Sequence, residues 1–268
     1  MKDVTFRPET LREAVAEARV LLDADARRRI AEGRVSKGDV LEASRLAAMI
    51  AVKRTPDVLP FCHPLPVGGI DARATLEGDG VCVRVTVRGI AATGFEMEAL
   101  TGATVGALNV YDMMKPHTDA ITLQGAVLLS KSGGTADWRV RADGLAAVVL
   151  GEGSEPVVSR LEASGMRVVC DPAADAAAVD RALASGPSLI VVLGGDLGAL
   201  AQRVQTPLPG VIEAARAYGQ RRQRFAMLEA GVCGWCEDVL LLGLPGGDRE
   251  VERTAEALLP PLLRVLVH

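Results

Sequence analysis

Aromatic residues are scarce: two Trp, two Tyr and four Phe make up 3% of 268 residues. So thin a set supplies no stacking platform for single-stranded nucleic acid. Basic charge is not in excess either, since 30 Lys and Arg stand against 34 Asp and Glu, for a formal net charge of −4. No global field therefore collects phosphates, which argues against a nucleic-acid partner but leaves room for a small anion in a locally basic pocket. No run approaches the roughly 18 apolar residues of a membrane span. The opening Met1-Lys2-Asp3-Val4-Thr5-Phe6 has no apolar secretory core, so a cytoplasmic location is expected. Five Cys are an odd, sparse count that fits reduced thiols better than a disulfide framework.

What is present is a globular composition, 49% hydrophobic and 24% charged, on a chain long enough for two domains. Residues 37–53 carry apolar positions at helical spacing. Val67–Leu76 reads as a strand, and Val81, Val83, Val85 and Val87 alternate with Cys82, Arg84, Thr86 and Arg88 as a second strand. Glu77-Gly78-Asp79-Gly80 supplies the hairpin turn between them. Met97–Lys115 is a long amphipathic helix ended by Pro116, and Ile121–Leu129 is another strand. Thr10–Leu22 has helix propensity, yet an edge strand fits its register as well. Sheet and helices in this order predict an α+β layer. Near Asp143 the texture changes. Short apolar runs at Leu145–Leu150 and Leu189–Leu193 alternate with helical segments at Glu155–Ser164 and Ala173–Ala184, a βαβ rhythm that implies a parallel sheet. The expected domains are 1–143 and 144–268.

Phe61-Cys62-His63-Pro64-Leu65-Pro66 is the most informative short stretch. Taken alone, Cys62 and His63 could be packed turn residues. A Zn site would need further ligands at close spacing, and no such pairs are near. The functional reading makes His63 an acid/base or a hydrogen-bond donor held by its prolines. Lys37, Lys53 and Arg54 flank this stretch; they form either a solvated face or a pocket for a phosphorylated ligand. Lys131-Ser132-Gly133-Gly134 reads as a basic, donor-rich loop. Glu96 and Glu98 sit where the long helix begins. Asp112 and Lys115 lie near its other end at i, i+3 spacing, which by itself is a surface ion pair. Fourteen residues at about 1.5 Å each put Glu98 roughly 21 Å from Asp112. One small ligand cannot touch both, so if both ends work, a second subunit must bring its opposite end across.

Lys37-Gly38-Asp39-Val40, Lys53-Arg54-Thr55, Cys62-His63-Pro64-Leu65, Thr93-Gly94 with Glu96-Met97-Glu98-Ala99-Leu100-Thr101, Tyr111-Asp112-Met113 with Lys115, and Lys131-Ser132-Gly133-Gly134 occur in that order. Together they resemble the signature of the cyclic pyranopterin monophosphate synthase (MoaC) family over residues 1–140. Thr10-Leu11-Arg12-Glu13-Ala14 also matches, and there the family has a strand. The resemblance implies a ferredoxin-like α+β domain assembled as a homo-oligomer, a hexamer built as a trimer of dimers, with sites between subunits. It implies a lyase of molybdenum cofactor biosynthesis. The substrate would be the cyclised GTP derivative 3′,8-cyclo-7,8-dihydro-GTP, and the products cyclic pyranopterin monophosphate and pyrophosphate, with no cofactor or metal called for. Carried over position by position, Lys37, His63, Glu96, Glu98, Asp112 and Lys115 form the catalytic set. Lys53, Arg54, Arg12, Cys62, Met97 and Lys131 go to substrate binding. One departure falls at Thr135, where the family usually has Lys.

In the second half, Leu193-Gly194-Gly195-Asp196-Leu197-Gly198, then Thr206-Pro207-Leu208-Pro209-Gly210 with Glu213 and Arg216, then Leu244-Pro245-Gly246-Gly247 resemble the molybdopterin-binding domain of molybdopterin adenylyltransferases of the MogA/MoaB type. That likeness implies a three-layer α/β domain. The family's Thr-Gly-Gly-Thr-Gly is absent, because Leu193 and Asp196 replace both threonines, and a carboxylate at Asp196 repels a phosphate unless a metal intervenes. A degenerate, structural or ligand-holding domain is therefore expected. The alternatives are a bifunctional enzyme that also adenylylates molybdopterin, and a non-catalytic scaffold for pathway enzymes. Cys233-Gly234-Trp235-Cys236 has no second Cys pair to complete a Zn site and is expected to be a plain loop.

Overall fold

A computed structural model describes residues 1–5, 7–134, 140–219, 230–246 and 258–267. Two compact units result, Met1–Asp137 and Trp138–His268. Among the described residues no helix is long and apolar enough to cross a membrane.

The first unit runs β1 (Thr10–Leu22), α1 (Ala24–Ala31), α2 (Val40–Lys53), α3 (Thr55–Val58), β2 (Gly69–Glu77), β3 (Gly80–Ala91), α4 (Glu96–Met114) and β4 (Ile121–Gly133). Its four strands lie in the order β2-β3-β1-β4, every neighbour antiparallel. Thr10–Leu22 is thus neither helix nor edge strand, since it pairs with β3 on one side and β4 on the other. The alternation that makes it a strand is carried by small residues: Ala14, Ala16, Ala18 and Val20 are all buried, as are Val81, Val83, Val85 and Val87 of β3. Alanines on the covered face let α4 lie close, with Ala99, Ala103, Ala107 and Val110 fully buried in the same core. Asp39 caps α2 by accepting from the backbone N–H groups of Leu41 and Glu42. Lys131, Ser132 and Gly133 are not a loop. They finish β4 in register with Arg12, Glu13 and Ala14, and Gly133 takes a φ of 92° there, a conformation that glycine accepts freely. Thr135 lies outside the described residues.

The second unit runs β5 (Ala146–Leu150), α5 (Glu155–Ala163), β6 (Arg167–Asp171), α6 (Ala176–Ala184), β7 (Leu189–Leu193), α7 (Leu197–Ala201), β8 (Thr206–Pro207), α8 (Pro209–Gly219), β9 (Val232–Cys236), β10 (Val239–Leu244) and α9 (Leu259–Val267). The sheet order is β6-β5-β7-β10-β9-β8. The first four strands are parallel, β9 is antiparallel to β10, and β8 is antiparallel to β9. Alternate residues of β5, β7 and β10 feed two separate cores, one with α5, α8 and α9 and one with α6 and α7, which makes an α/β/α arrangement of three layers. The Cys233–Cys236 stretch is strand β9 and not a loop: Cys233 is buried and Cys236 half-buried.

Candidate active site

Helix α4 positions two groups of polar side chains, one at each end. At its C-terminal end, Asp112 Oδ1 accepts from Lys115 Nζ at 2.8 Å and Oδ2 from Lys37 Nζ at 2.6 Å. Lys37 also donates to the Asp112 carbonyl at 2.8 Å. Lys115 follows from i, i+3 spacing on the helix, whereas Lys37 arrives from the loop before α2. The two ammonium groups hold the Asp112 carboxyl down to about 2, with the Lys115 contact first and Lys37 second. The carboxylate is about half exposed, so this ionic cluster faces solvent and any ligand that arrives.

Beside it lies a residue that the sequence reading passed over. His117 Nε2 sits 3.4 Å from the backbone nitrogen of Ser36 and 3.3 Å from its hydroxyl. Because the Ser36 N–H donates, Nε2 is the accepting nitrogen. His117 thus holds the residue next to Lys37. Only its rarity, one of three His in the chain, and its place two residues past Lys115 could have drawn attention to it.

At the N-terminal end of α4, Glu96 accepts from Lys131 at 3.1 Å, which joins the start of the helix to the end of β4. Glu98, two residues on, is 1% exposed. Its Oε1 accepts from Cys62 Sγ at 3.4 Å, and its Oε2 is buried with no hydrogen-bond partner. Burial pushes the Glu98 carboxyl above the ordinary glutamate range, and burial followed by the neighbouring Glu98 charge pushes the Cys62 thiol up to about 11. Cys62 and His63 begin the irregular stretch 62–68. His63 Nε2 lies 2.8 Å from the carbonyl of Lys2, to which it donates. Arg12 donates through Nε to the carbonyl of Ala91 at 2.8 Å and through Nη2 to that of Ala92 at 3.3 Å, so its guanidinium is spent largely on the end of β3. Met97 is exposed on the first turn.

Of the twelve expected residues, one chain therefore gathers Lys37, Asp112 and Lys115 at one place. It gathers Cys62, Glu96, Glu98 and Lys131 at another, with His63 next in sequence to Cys62. Lys53 and Arg54 are exposed at the end of α2. Among the described residues no three His, Cys, Asp or Glu side chains converge to hold a metal.

In the second unit, the loops after β5 and β7 diverge, because the chain goes from β5 to one side of the sheet and from β7 to the other. Strand order reverses between these neighbours, the place where open α/β sheets form a ligand crevice. A cavity of about 500 Å³ opens there, lined by Gly151, Glu152, Gly153, Pro172, Ala174, Leu193 and Gly246. No Lys or Arg is among these. Asp196 uses its carboxylate to cap α7, accepting from the Ala199 N–H at 3.0 Å. The Gly247 end of the last glycine motif lies outside the described residues.

Comparison with known proteins bears on the whole chain. A protein of Aquifex aeolicus named cyclic pyranopterin monophosphate synthase is 32% identical over 249 residues, 93% of this chain and 91% of its own length. That alignment is longer than the first unit, so the second half is shared with it. The protein of the same name from Deinococcus radiodurans is 46% identical over 134 residues, 50% of this chain and 80% of its own. A solved Mog protein from Mycobacterium ulcerans aligns with 47% of this chain and 95% of its own at 22% identity, but its TM-score of 0.40 is too low to carry an argument. The model of the MoaC family matches residues 1–134. This chain belongs to the MoaC family.

Proposed function

We propose that the first unit is a cyclic pyranopterin monophosphate synthase acting in molybdenum cofactor biosynthesis, which converts 3′,8-cyclo-7,8-dihydro-GTP to cyclic pyranopterin monophosphate and pyrophosphate. The observation that carries this reading is the Lys37–Asp112–Lys115 cluster. Rebuilding a purine and a ribose into a pyranopterin moves protons at carbon and nitrogen, which is work for positioned acids and bases. Expelling pyrophosphate develops negative charge that ammonium groups stabilise. A carboxylate fixed between two lysines and open to solvent supplies both kinds of group. Glu96, Glu98 and His63 supply further acid/base groups from the other end of α4. Lys131, Arg54 and Lys53 add cations for the triphosphate, and Arg12, Cys62 and Met97 complete the binding set. The βαββαβ order, with strands arranged 4-1-3-2 and all neighbours antiparallel, supports a ferredoxin-like domain.

Roughly 21 Å of helix between Glu98 and Asp112 supports a site completed across a subunit boundary, in a hexamer built as a trimer of dimers. The test is product formation from enzymatically prepared 3′,8-cyclo-7,8-dihydro-GTP. The intact chain is expected to release pyrophosphate and the cyclic pyranopterin, and Asp112→Asn to lose about 10²–10⁴-fold in rate. Co-expressing Asp112→Asn with His63→Ala is expected to restore activity that neither variant has alone. Well-folded protein that forms no product sinks the assignment; absence of complementation sinks the shared site only.

For the second unit, the crevice between β5 and β7 supports a ligand-holding or structural role. Adenylyl transfer is the weaker reading, since a triphosphate needs cations and the lining has none among the described residues, while Asp196 adds a negative charge at the loop.

A further inference from the structure

We propose that Cys62 transfers protons at the N-terminal end of α4 and that Glu98 acts through this thiol without itself touching the substrate. The inference rests on the synthase reading and assigns roles within it. Glu98 is 1% exposed, so a ligand approaching from the surface meets the half-buried Cys62 first. One carboxyl oxygen lies 3.4 Å from the sulfur, and the other is buried with no partner. Few charged or titratable groups face this carboxyl. From its own helix there is Glu96, which is tied to Lys131 of β4; from the 62–68 segment there is Cys62. Among the described residues Glu98 makes no ion pair. A buried, uncompensated carboxylate is unfavourable, so the resting pair is a carboxylic acid behind a thiol.

The transfer balances without an oxidant or reductant. The Cys62 S–H bond breaks as its proton bonds to a substrate carbon or nitrogen, and the electron pair stays on sulfur. The Glu98 O–H bond then breaks and its proton restores the thiol. The carboxylate left behind is buried and unpaired, hence a strong base. It regains a proton by the reverse path when the substrate next loses one, so the net event moves a proton between two substrate atoms.

The experiment uses the full chain and 3′,8-cyclo-7,8-dihydro-GTP. Cys62→Ala is expected to lower kcat about 10²-fold, a larger effect than on KM, as loss of a general acid does, and Cys62→Ser to recover part of it. Glu98→Gln is expected to lower kcat in the same way, and the double variant Cys62→Ala with Glu98→Gln to be no worse than Cys62→Ala alone, because both act on one path. Full kcat in Cys62→Ala, or losses that multiply in the double variant, would overturn the relay. A readout independent of turnover is the rate of Cys62 alkylation by iodoacetamide against pH, followed on the Cys62 peptide by mass spectrometry. At the alkaline pH where the thiol ionises, Glu98 has already lost its proton and its charge opposes the thiolate, so the curve is expected to move to lower pH in Glu98→Gln, and an unmoved curve overturns the relay alone. Wild-type protein that forms no product overturns the synthase reading, and the relay falls with it.

Discussion

Adding one methyl group at Gly106 is expected to destabilise the first unit, and the size of the effect follows from three distances. Gly106 is buried in α4, where a Cβ would lie 2.7 Å from Val83 Cγ1, 3.1 Å from Ala48 Cβ and 3.1 Å from the carbonyl oxygen of Ser44. Carbon pairs at their energy minimum stand about 3.5–4.0 Å apart. Replacing Gly by Ala inside a helix is worth about 1 kcal/mol in propensity, while overpacking a filled core costs about 1–3 kcal/mol. Two of the obstructing atoms, a backbone oxygen and the Cβ of Ala48, cannot rotate away. Val83 is fully buried. With those atoms fixed the steric cost falls in the upper part of its range, about 2–3 kcal/mol, and wins by about 1–2 kcal/mol net, which lowers Tm by roughly 3–8 °C for a unit of this size. Calorimetry on Gly106→Ala measures it, with Gly125→Ala as a control because nothing lies within 4 Å of a Cβ there. Since the chain has two compact units, the shift is read on whichever transition moves. A Gly106→Ala variant that melts at or above the wild type would show that α2 can retreat, and that close approach of α2, α4 and β3 does not fix the helix bearing the site.

The remaining predictions concern the other end of α4. Asp112 has its pKa lowered to about 2 from 3.8, so the native state binds that proton less tightly than the unfolded chain does. Its favourable contribution is complete above about pH 4 and is lost as pH falls through 2. A carbon-13 titration of the Asp112 carboxyl should therefore show a midpoint near 2, and Lys37→Ala should raise it; a wild-type midpoint at the ordinary value would mean the lysines do not hold it in solution. His117→Ala is expected to lower kcat severalfold by freeing the segment that delivers Lys37, and His117→Gln, which keeps an acceptor facing Ser36, to retain most of it. Equal losses in both variants would remove Ser36 from the account.

Strand β3 was legible because four successive covered positions, 81, 83, 85 and 87, are valine, a residue whose branching and alternation both indicate a strand. Strand β1 was not, because its covered positions are mostly alanine and its outer ones include Glu13, Glu17 and Arg19. Such residues favour a helix in isolation, and only the closeness of α4, which demands small side chains beneath it, explains the alanines. The end of β4 misled for a related reason: Gly133 reads as loop material, yet it serves a strand whose backbone needs a positive φ beside Arg12. The same limit applies to the site. Residue types and spacing were enough to pick out Asp112 with Lys115, since three residues of helix bring them together. Lys37 is 75 residues from Asp112 in the chain, and Cys62 is 36 from Glu98. No local pattern encodes contacts at such separations. Burial is the hardest feature to read, for Glu96 and Glu98 look alike in sequence. The helix turns one toward Lys131 and the other into the core, so neighbouring carboxyls of identical chemistry take up different environments. Once inside, the Glu98 carboxyl has the Cys62 sulfur between it and the surface, and that contact is what ties it to the site.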